Sequence, residues 1–176
     1  MNIISHFLSG EDVVVGLNVP DKQRALEEAA SMVERRTSIH RAPVFRALWR
    51  REQIGSTGLG HGVAIPHARI AGISEPIVLL MRTKLPIAFG APDHKPVSIL
   101  CVILVPEHAN DEHLQILAIV SEMFSHRDFR DRLKAARDPA AIQRLFNDGC
   151  NCRSSSAVLC EPQKEARRAD PVARES

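Results

Sequence analysis

Long apolar segments, a surplus of one charge and a dense set of cysteines are all missing from this chain of 176 residues. Its longest uninterrupted apolar run, residues 99–105, is far shorter than the roughly 20 residues that a membrane-spanning helix needs. The net charge of +2 is too small for a protein that binds nucleic acid or anionic membranes non-specifically. The amino terminus lacks the basic region of a secretory signal, and Glu11 and Asp12 follow it closely. We therefore expect a cytoplasmic protein that neither inserts into a membrane nor binds nucleic acid.

The four cysteines do not indicate a disulfide framework. Cys101 lies inside the apolar run and is predicted to be a small core residue. Cys150, Cys152 and Cys160 lie near the carboxyl terminus, and three thiols with no histidine nearby fall short of a four-ligand zinc site. In a reducing cytoplasm we expect free thiols, with metal binding as the alternative.

Apolar residues make up 44% of the chain, which is enough for a core and excludes a wholly disordered protein. Strand-like and helix-like segments alternate along the sequence. The predicted strands cover residues 13–19, 63–65, 77–81 and 97–105, and the predicted helices 22–36, 43–53, 111–125, 128–136 and 139–146. This alternation favours an α/β fold with a mixed β-sheet sandwiched by helices on both faces.

The composition changes at Gly149. The residues that follow, 150–176, contain only Val158, Leu159 and Val172 as large aliphatic side chains. Such a segment buries too little apolar surface to offset the entropy lost on ordering. We therefore expect one domain over residues 1–149 and a disordered carboxyl-terminal tail over residues 150–176.

Four glycines between residues 55 and 62 form a loop that could suggest a nucleotide site. A phosphate loop needs Lys-Ser or Lys-Thr after its last glycine, and neither pair is present. A dinucleotide fingerprint needs a strand before the glycines, whereas here the glycines precede the strand-like Val63–Ile65. The sequence therefore disfavours nucleotide binding and leaves an ordinary flexible connection as the alternative.

Three side chains near this loop could share one pocket. His67 follows Pro66 at a predicted strand end, and its imidazole is mostly neutral and nucleophilic at cytoplasmic pH. Arg51, at the end of the preceding helix, could offer a cationic fork to phosphate or carboxylate. His113 lies in the first turn of the long helix, where anions are favoured. Each residue taken singly is also explained as a structural residue, but together they suit a transferable phosphoryl group.

The same region resembles a known family. Residues 50–67 read Arg-Arg-Glu-x-Ile-Gly-Ser-Thr-Gly-Leu-Gly-His-Gly-Val-Ala-Ile-Pro-His. This closely resembles the active-site signature of type-2 enzyme IIA domains of the bacterial phosphoenolpyruvate-dependent phosphotransferase system, in the fructose/mannitol and nitrogen-regulatory group. Residues 104–117 resemble the family's second histidine segment, and the likeness runs from about residue 3 to residue 147.

The resemblance implies specific roles and a mixed sheet between helices. His67 is then the phosphorylated histidine, His113 the second active-site histidine and Arg51 the arginine that precedes the loop. The implied site also uses backbone N–H groups of Gly58, Gly60 and Gly62 for the phosphoryl group, and it requires no metal or nucleotide cofactor. The departures from the family pattern are His61, where Asn or Asp is common, and Ala68, where Gly is usual.

The subgroup is inferred from chain length. Sugar-transporting members are often fused to IIB, IIC or phosphocarrier domains, and this chain contains none. It therefore most resembles the stand-alone nitrogen-regulatory IIA. That protein takes phosphate from an HPr-like or NPr-like phosphocarrier and acts on regulatory targets such as sensor kinases or transporters. The alternatives are a free-standing sugar-specific IIA that passes phosphate to a IIB domain, and a metal-binding or purely structural protein. If counted as an enzyme, such a relay is a phosphotransferase.

Overall fold

The computed structural model describes residues 3–108 and 111–148. These residues form six α-helices, six β-strands and a short 3-10 turn at Gly10–Asp12. The helices are α1 (Ile3–Phe7), α2 (Lys22–Arg36), α3 (Arg41–Ile54), α4 (Asp111–Ser125), α5 (Arg127–Ala135) and α6 (Pro139–Asp148). The strands are β1 (Val13–Leu17), β2 (Gly58–Gly60), β3 (Val63–Ala64), β4 (His67–Ile70), β5 (Ile77–Ile87) and β6 (Val97–Pro106).

All six strands belong to one mixed sheet in which β6 is central. The order is β1-β5-β6-β3-β2, and β4 also pairs with β6. Strand β5 runs antiparallel to β6, whereas β3 and β4 run parallel to it. Val63 pairs with Ile99 and His67 pairs with Ile103, so β3 and β4 lie one after the other along the same edge of β6. The backbone from Val63 to His67 therefore runs alongside β6.

Helices cover both faces of this sheet. One buried cluster joins α2 and α3 to the sheet, with Leu26, Val33 and Leu48 among its members. The other joins α1, α4, α5 and α6 to the opposite face, with Phe129 and Phe146 in edge-on contact at 5.4 Å between ring centroids. The predicted fold class, a mixed sheet between helical layers, is confirmed.

The residues at the starts of α2 and α3, the helices on the first face, explain where these helices begin. Asp21 caps α2, because its Oδ1 accepts a hydrogen bond from the Arg24 backbone N–H at 2.8 Å. Helix α3 starts at Arg41, two residues before the predicted start at Pro43. Proline is tolerated there because the first-turn N–H groups of a helix have no partner within the helix.

Several elements differ from those predicted from the sequence. Strands β2 and β4 and helix α1 were not predicted, since they are too short for a periodic pattern, and β2 is mostly glycine. Strand β5 extends to Ile87 instead of ending at Met81. In this extension Thr83 is buried while Lys84 and Leu85 are exposed, so the apolar run ends before the strand does.

The cysteine predictions are tested only in part. Cys101 is fully buried, and burial raises the pKa of its thiol to about 12, which confirms a small core residue. Cys150, Cys152, Cys160 and the predicted tail lie outside the described residues. Within residues 3–108 and 111–148, no group of three or more His, Cys, Asp or Glu side chains could hold a metal ion. No helix there is long and apolar enough to cross a membrane.

Candidate active site

His67 is the first residue of β4 and sits at a fixed point on the sheet. Before it, Pro66 has a restricted φ, and the carbonyl oxygen of Pro66 accepts a hydrogen bond from Ile103 N–H on β6 at 2.9 Å. The side chain is half-buried. An imidazole anchored in this way is held in position by the sheet while part of it remains accessible.

The hydrogen bonds of His67 define its tautomer. Nδ1 lies 2.8 Å from the carbonyl oxygen of Ile65, and a carbonyl oxygen only accepts, so Nδ1 carries the hydrogen. Nε2 accepts a hydrogen bond from Arg51 Nε–H at 3.1 Å. The neutral ring therefore has its lone pair on Nε2, on the side of the arginine.

The surroundings of His67 also favour the neutral ring. Burial lowers the pKa of His67 below its usual 6.5, and the positive charge of Arg51 lowers it further. The hydrogen bond to Ile65 and the negative charge of Glu52 oppose this without reversing it. His67 is thus neutral and nucleophilic at physiological pH.

Arg51 joins helix α3 to the imidazole. It lies in the last turn of α3, and its Nη1 donates to the carbonyl oxygen of Gly55 at 2.9 Å while its Nε donates to His67. The guanidinium is thereby held at the helix end, beside the nitrogen that carries the lone pair. The structure brings the predicted residues Arg51 and His67 together.

Glu52 supports this arrangement and was missed in the sequence. Its carboxylate is buried, with Oε1 accepting from Lys22 Nζ at 3.1 Å. Oε2 accepts from the backbone N–H of Thr57 at 3.0 Å and from the Thr57 hydroxyl at 2.5 Å. The start of the glycine loop is thus tied to α3. The available signal was spacing, because Glu52 follows Val44 and Leu48 at intervals of four on the buried face of α3.

The glycine loop forms the β2–β3 hairpin. A Cβ atom on Gly58 would lie 2.8 Å from Ala91 Cα, so only glycine fits that close approach. His61 has a φ of 55°, and its backbone N–H donates to Asp93 Oδ2 at 2.7 Å. The N–H of Gly58 donates to Ser56 Oγ. The phosphate-binding role of Gly58, Gly60 and Gly62 stays a prediction.

A cleft of about 540 Å³ lies beside His67. Helix α3 and strand β4 line it, and Arg46, Arg50 and Arg69 bring three more positive charges next to Arg51. Among the residues that the structure describes, no acidic side chain lines the cleft and none of these three arginines forms an ion pair. The cleft therefore suits an anion. The regular spacing of Arg46 and Arg50 on α3 was the sequence signal for it.

The third predicted residue is only partly placed. His113 lies in the first turn of α4, the helix that follows β6. Its side chain is not among those described, so the predicted contact of His113 with the phosphoryl group stays a prediction.

A family model, the EIIA 2 domain of the phosphoenolpyruvate-dependent sugar phosphotransferase system, matches residues 6–149. The chain belongs to this family. A nitrogen regulatory protein of Pseudomonas aeruginosa is 41% identical over 135 residues, covering 75% of this chain and 88% of the relative. One from Bradyrhizobium diazoefficiens is 34% identical over 139 residues, covering 79% and 91%.

Solved structures agree with this assignment. Nitrogen regulatory protein IIA-Ntr from Neisseria meningitidis superposes with a TM-score of 0.79 at 39% identity, covering 82% of this chain and 99% of that one. IIA mannitol from Escherichia coli, at 19% identity with a TM-score of 0.67, shares the fold; it covers 79% of this chain and 98% of that one. The predicted resemblance to the type-2 IIA family and its nitrogen-regulatory members is confirmed.

Proposed function

We propose that this chain is a phosphohistidine relay of the nitrogen-regulatory kind, which accepts a phosphoryl group on His67 Nε2 from a phosphocarrier protein. The observation that carries the proposal is the tautomer of His67: Nδ1 is committed to the Ile65 carbonyl oxygen, which leaves the lone pair on Nε2. The arginine-lined cleft beside that nitrogen supplies positive charge for the incoming group. The predicted cytoplasmic location is part of this proposal.

The transfer is an in-line displacement at phosphorus. The lone pair of His67 Nε2 forms the new N–P bond while the N–P bond of the donor phosphohistidine breaks. The electron pair of the broken bond returns to the donor's imidazole nitrogen. Arg51 donates to the phosphoryl oxygens, where the negative charge of the transition state is spread, and His113 is proposed as a further donor.

Regulation follows from the charge of the product. A phosphorylated His67 places up to two negative charges beside Arg46, Arg50, Arg51 and Arg69, which offsets about half of the positive charge of the cleft. A partner that recognises one form will bind the other less well. We propose that the protein acts on its regulatory partners, such as sensor kinases or transporters, through this difference.

A sugar-specific role is the second candidate. A fructose-specific EIIA component of Haloferax volcanii is 40% identical over 97 residues, which cover 55% of this chain and 63% of that relative. In a structure of the mannitol system of Escherichia coli, the IIA enzyme is in complex with a phosphorylated IIB enzyme. In that role His67 would pass its phosphoryl group to a cysteine or histidine of a IIB domain.

The decisive experiment is intact-mass measurement after incubation with phosphoenolpyruvate, enzyme I and a phosphocarrier. We expect one acid-labile phosphoryl group on the wild-type chain and none on His67→Ala. The matched control is His61→Ala, which removes an exposed histidine of the same loop and should be phosphorylated normally. A phosphoryl group retained by His67→Ala would refute the assignment.

A second measurement separates the two candidate roles. The phosphorylated chain is mixed with purified IIB domains of the fructose and mannitol type, and loss of label is followed over time. Slow loss, no faster than spontaneous hydrolysis, supports the regulatory role. Rapid transfer to a IIB domain supports the sugar-specific one.

A further inference from the structure

A second cationic surface lies away from His67, between the β5–β6 hairpin and helix α5. Two connected hollows of about 720 and 330 Å³ share Pro86, Ser98 and Lys134 in their lining. Together they form a basic groove, defined by Arg82, Lys84, Lys95, Arg127, Arg130 and Lys134. The helical part comes from one face of α5, because residues 127, 130 and 134 are spaced three and four apart.

The positive charge of the basic groove is almost unopposed. Among the described residues that line it, Asp131 is the only carboxylate. Its Oδ2 lies 3.4 Å from Arg127 Nε, so the two side chains form an ion pair. Within the described part of the chain, the ammonium groups of Lys84, Lys95 and Lys134 form no ion pair within 4 Å. The carboxylate of Asp93 lies beside Lys95, since it accepts a hydrogen bond from the Lys95 backbone N–H at 3.2 Å, and it offsets part of that charge. The groove thus attracts negative charge from outside the chain.

Two arginines of the basic groove are fixed in place by helix ends. Arg82 Nη1 donates to the carbonyl oxygens of Leu133 and Lys134 at 2.8 and 2.9 Å, at the end of α5. Arg130 Nη1 donates to the carbonyl oxygens of Phe124 and Ser125, both at 2.7 Å, at the end of α4. A guanidinium carries five N–H donors, and these bonds use one nitrogen of each. Both cations are therefore held in place with no carboxylate partner among the described residues. Arg130 is buried, so it adds positive charge to the groove from beneath its surface.

The basic groove is separate from the cleft beside His67. His67 is paired with Ile103, and Ser98 lies five residues earlier on the same strand β6, which is about 16 Å at 3.3 Å per residue. None of the residues lining the groove lines the cleft. Gly62, for which the family resemblance implies a phosphoryl-binding role, lines the groove and not the cleft.

We propose that the basic groove binds an acidic segment of a partner polypeptide. The six cations are spread over two hollows, so they match several separate carboxylates better than one compact anion. Lysines make up half of them, and a lysine ammonium pairs with single carboxylates as a point charge. Pro86, Pro96 and Ser98, which carry no charge, also line the larger hollow. No phenylalanine, tyrosine or tryptophan lines the described groove, so the bases of a nucleic acid lack the large aromatic side chains on which they usually stack.

The test is fluorescence anisotropy of a labelled poly-glutamate peptide titrated with the full, unphosphorylated chain. The ionic strength is about 0.15 M, where the Debye length of about 8 Å suppresses long-range attraction. The variant Lys84→Gln/Lys134→Gln removes two exposed charges from the groove, and Arg46→Gln/Arg50→Gln removes two exposed charges from the cleft. Because both variants change net charge equally, a difference between them reports the place of binding. Thermal melting confirms that each is folded.

We expect saturable binding that the groove variant weakens at least about tenfold and the cleft variant changes less than about twofold. Backbone NMR shifts caused by the peptide should cluster at Lys84, Ser98 and Lys134. The proposal is overturned by equal weakening in both variants, by absence of saturable binding, or by tighter binding of single-stranded DNA through the same lysines. Since no phosphorylation is involved, each of these results leaves the proposed role of His67 standing.

Discussion

The cleft beside His67 and the basic groove along α5 carry the same kind of charge but are built differently. In the cleft, Arg51 is hydrogen-bonded to a nucleophilic nitrogen at 3.1 Å. In the groove, the guanidinium groups of Arg82 and Arg130 are hydrogen-bonded to carbonyl oxygens at helix ends. Among the described residues, no imidazole is hydrogen-bonded to either guanidinium. Positive charge alone therefore does not define a reaction centre. What distinguishes the cleft is a cation aimed at the atom that would react.

The strongest test of this difference between the cleft and the groove is to remove the charge of Arg51. Arg51→Gln should slow phosphorylation of His67 on the order of 100-fold, because one donor to the transition state is lost. The rate is measured by rapid quench with a phosphorylated phosphocarrier. Arg50→Gln, a neighbour in the same helix and cleft, and Lys134→Gln in the groove should each stay within a few-fold of wild type. An Arg51 variant as fast as these two would place Arg51 outside the reaction.

The support behind the cleft can be tested by stability. Glu52→Gln removes a buried charge that holds both Lys22 and Thr57, and we expect a loss of about 2–3 kcal/mol in the free energy of unfolding. Urea denaturation measures it. Glu28→Gln, which breaks a surface pair with Arg35, should cost less than about 1 kcal/mol. Equal losses in the two variants would contradict a structural role for the buried carboxylate.

The cleft should also differ from ordinary surface chemistry in its pH dependence. Because burial and Arg51 lower the pKa of His67, its NMR titration midpoint should fall below 6.5. Phosphorylation should therefore stay above half of its maximal rate at pH 6.5 and decline as the pH falls through the lowered pKa. The unfolded chain binds this proton more readily, so the contribution of His67 to stability is lost as the pH falls from about 6.5 through the lowered pKa. A midpoint above 6.5 would contradict the assigned environment.

The smallest effect is expected from the carboxyl terminus. Removal of residues 150–176 should change the melting temperature by less than about 4 °C, which corresponds to roughly 1 kcal/mol in a domain of this size. The sequence motivates this, since the segment has few apolar residues to bury. Phosphorylation of His67 should be unchanged. A larger drop in melting temperature would mean that the segment packs on the domain or binds a metal.

The fold was predictable because its main elements are long and periodic. The continuous apolar run of β6 predicts a buried strand, and the spacing of apolar residues in α2 and α3 predicts helices with one buried face. Strand β4 pairs with β6, whose residues are distant in the chain, and such pairing leaves no local pattern. Strand β2 pairs locally with β3, but it is only three residues long and mostly glycine. For these reasons β4 and β2 were missed.

Candidate site residues could be predicted where the residue type itself indicates its chemistry. His67 and Arg51 were singled out because an imidazole after Pro66 and an arginine before a glycine loop suit phosphoryl chemistry, and the family resemblance then implied their roles. The structure brings the two side chains into contact at 3.1 Å, and their roles stay a prediction. Glu52 was missed because a helix-end glutamate is normally solvated, and only the fold shows it paired with Lys22 thirty residues earlier. The basic groove was missed for the same reason, since its cations come from β5, α5 and the hairpin loop.

In the resting protein the reactive lone pair of His67 is already covered. Arg51 Nε–H occupies the electron pair on Nε2 that would bond to phosphorus, so an uncharged alkylating or acylating reagent must first break this hydrogen bond. An anionic phosphoryl group would offer the guanidinium acceptors that are themselves charged and can bind it in a bidentate way, which the neutral imidazole cannot. Such a group would compensate for the hydrogen bond that it displaces, whereas a neutral electrophile would not. One hydrogen bond thus biases the imidazole toward phosphoryl donors over neutral electrophiles.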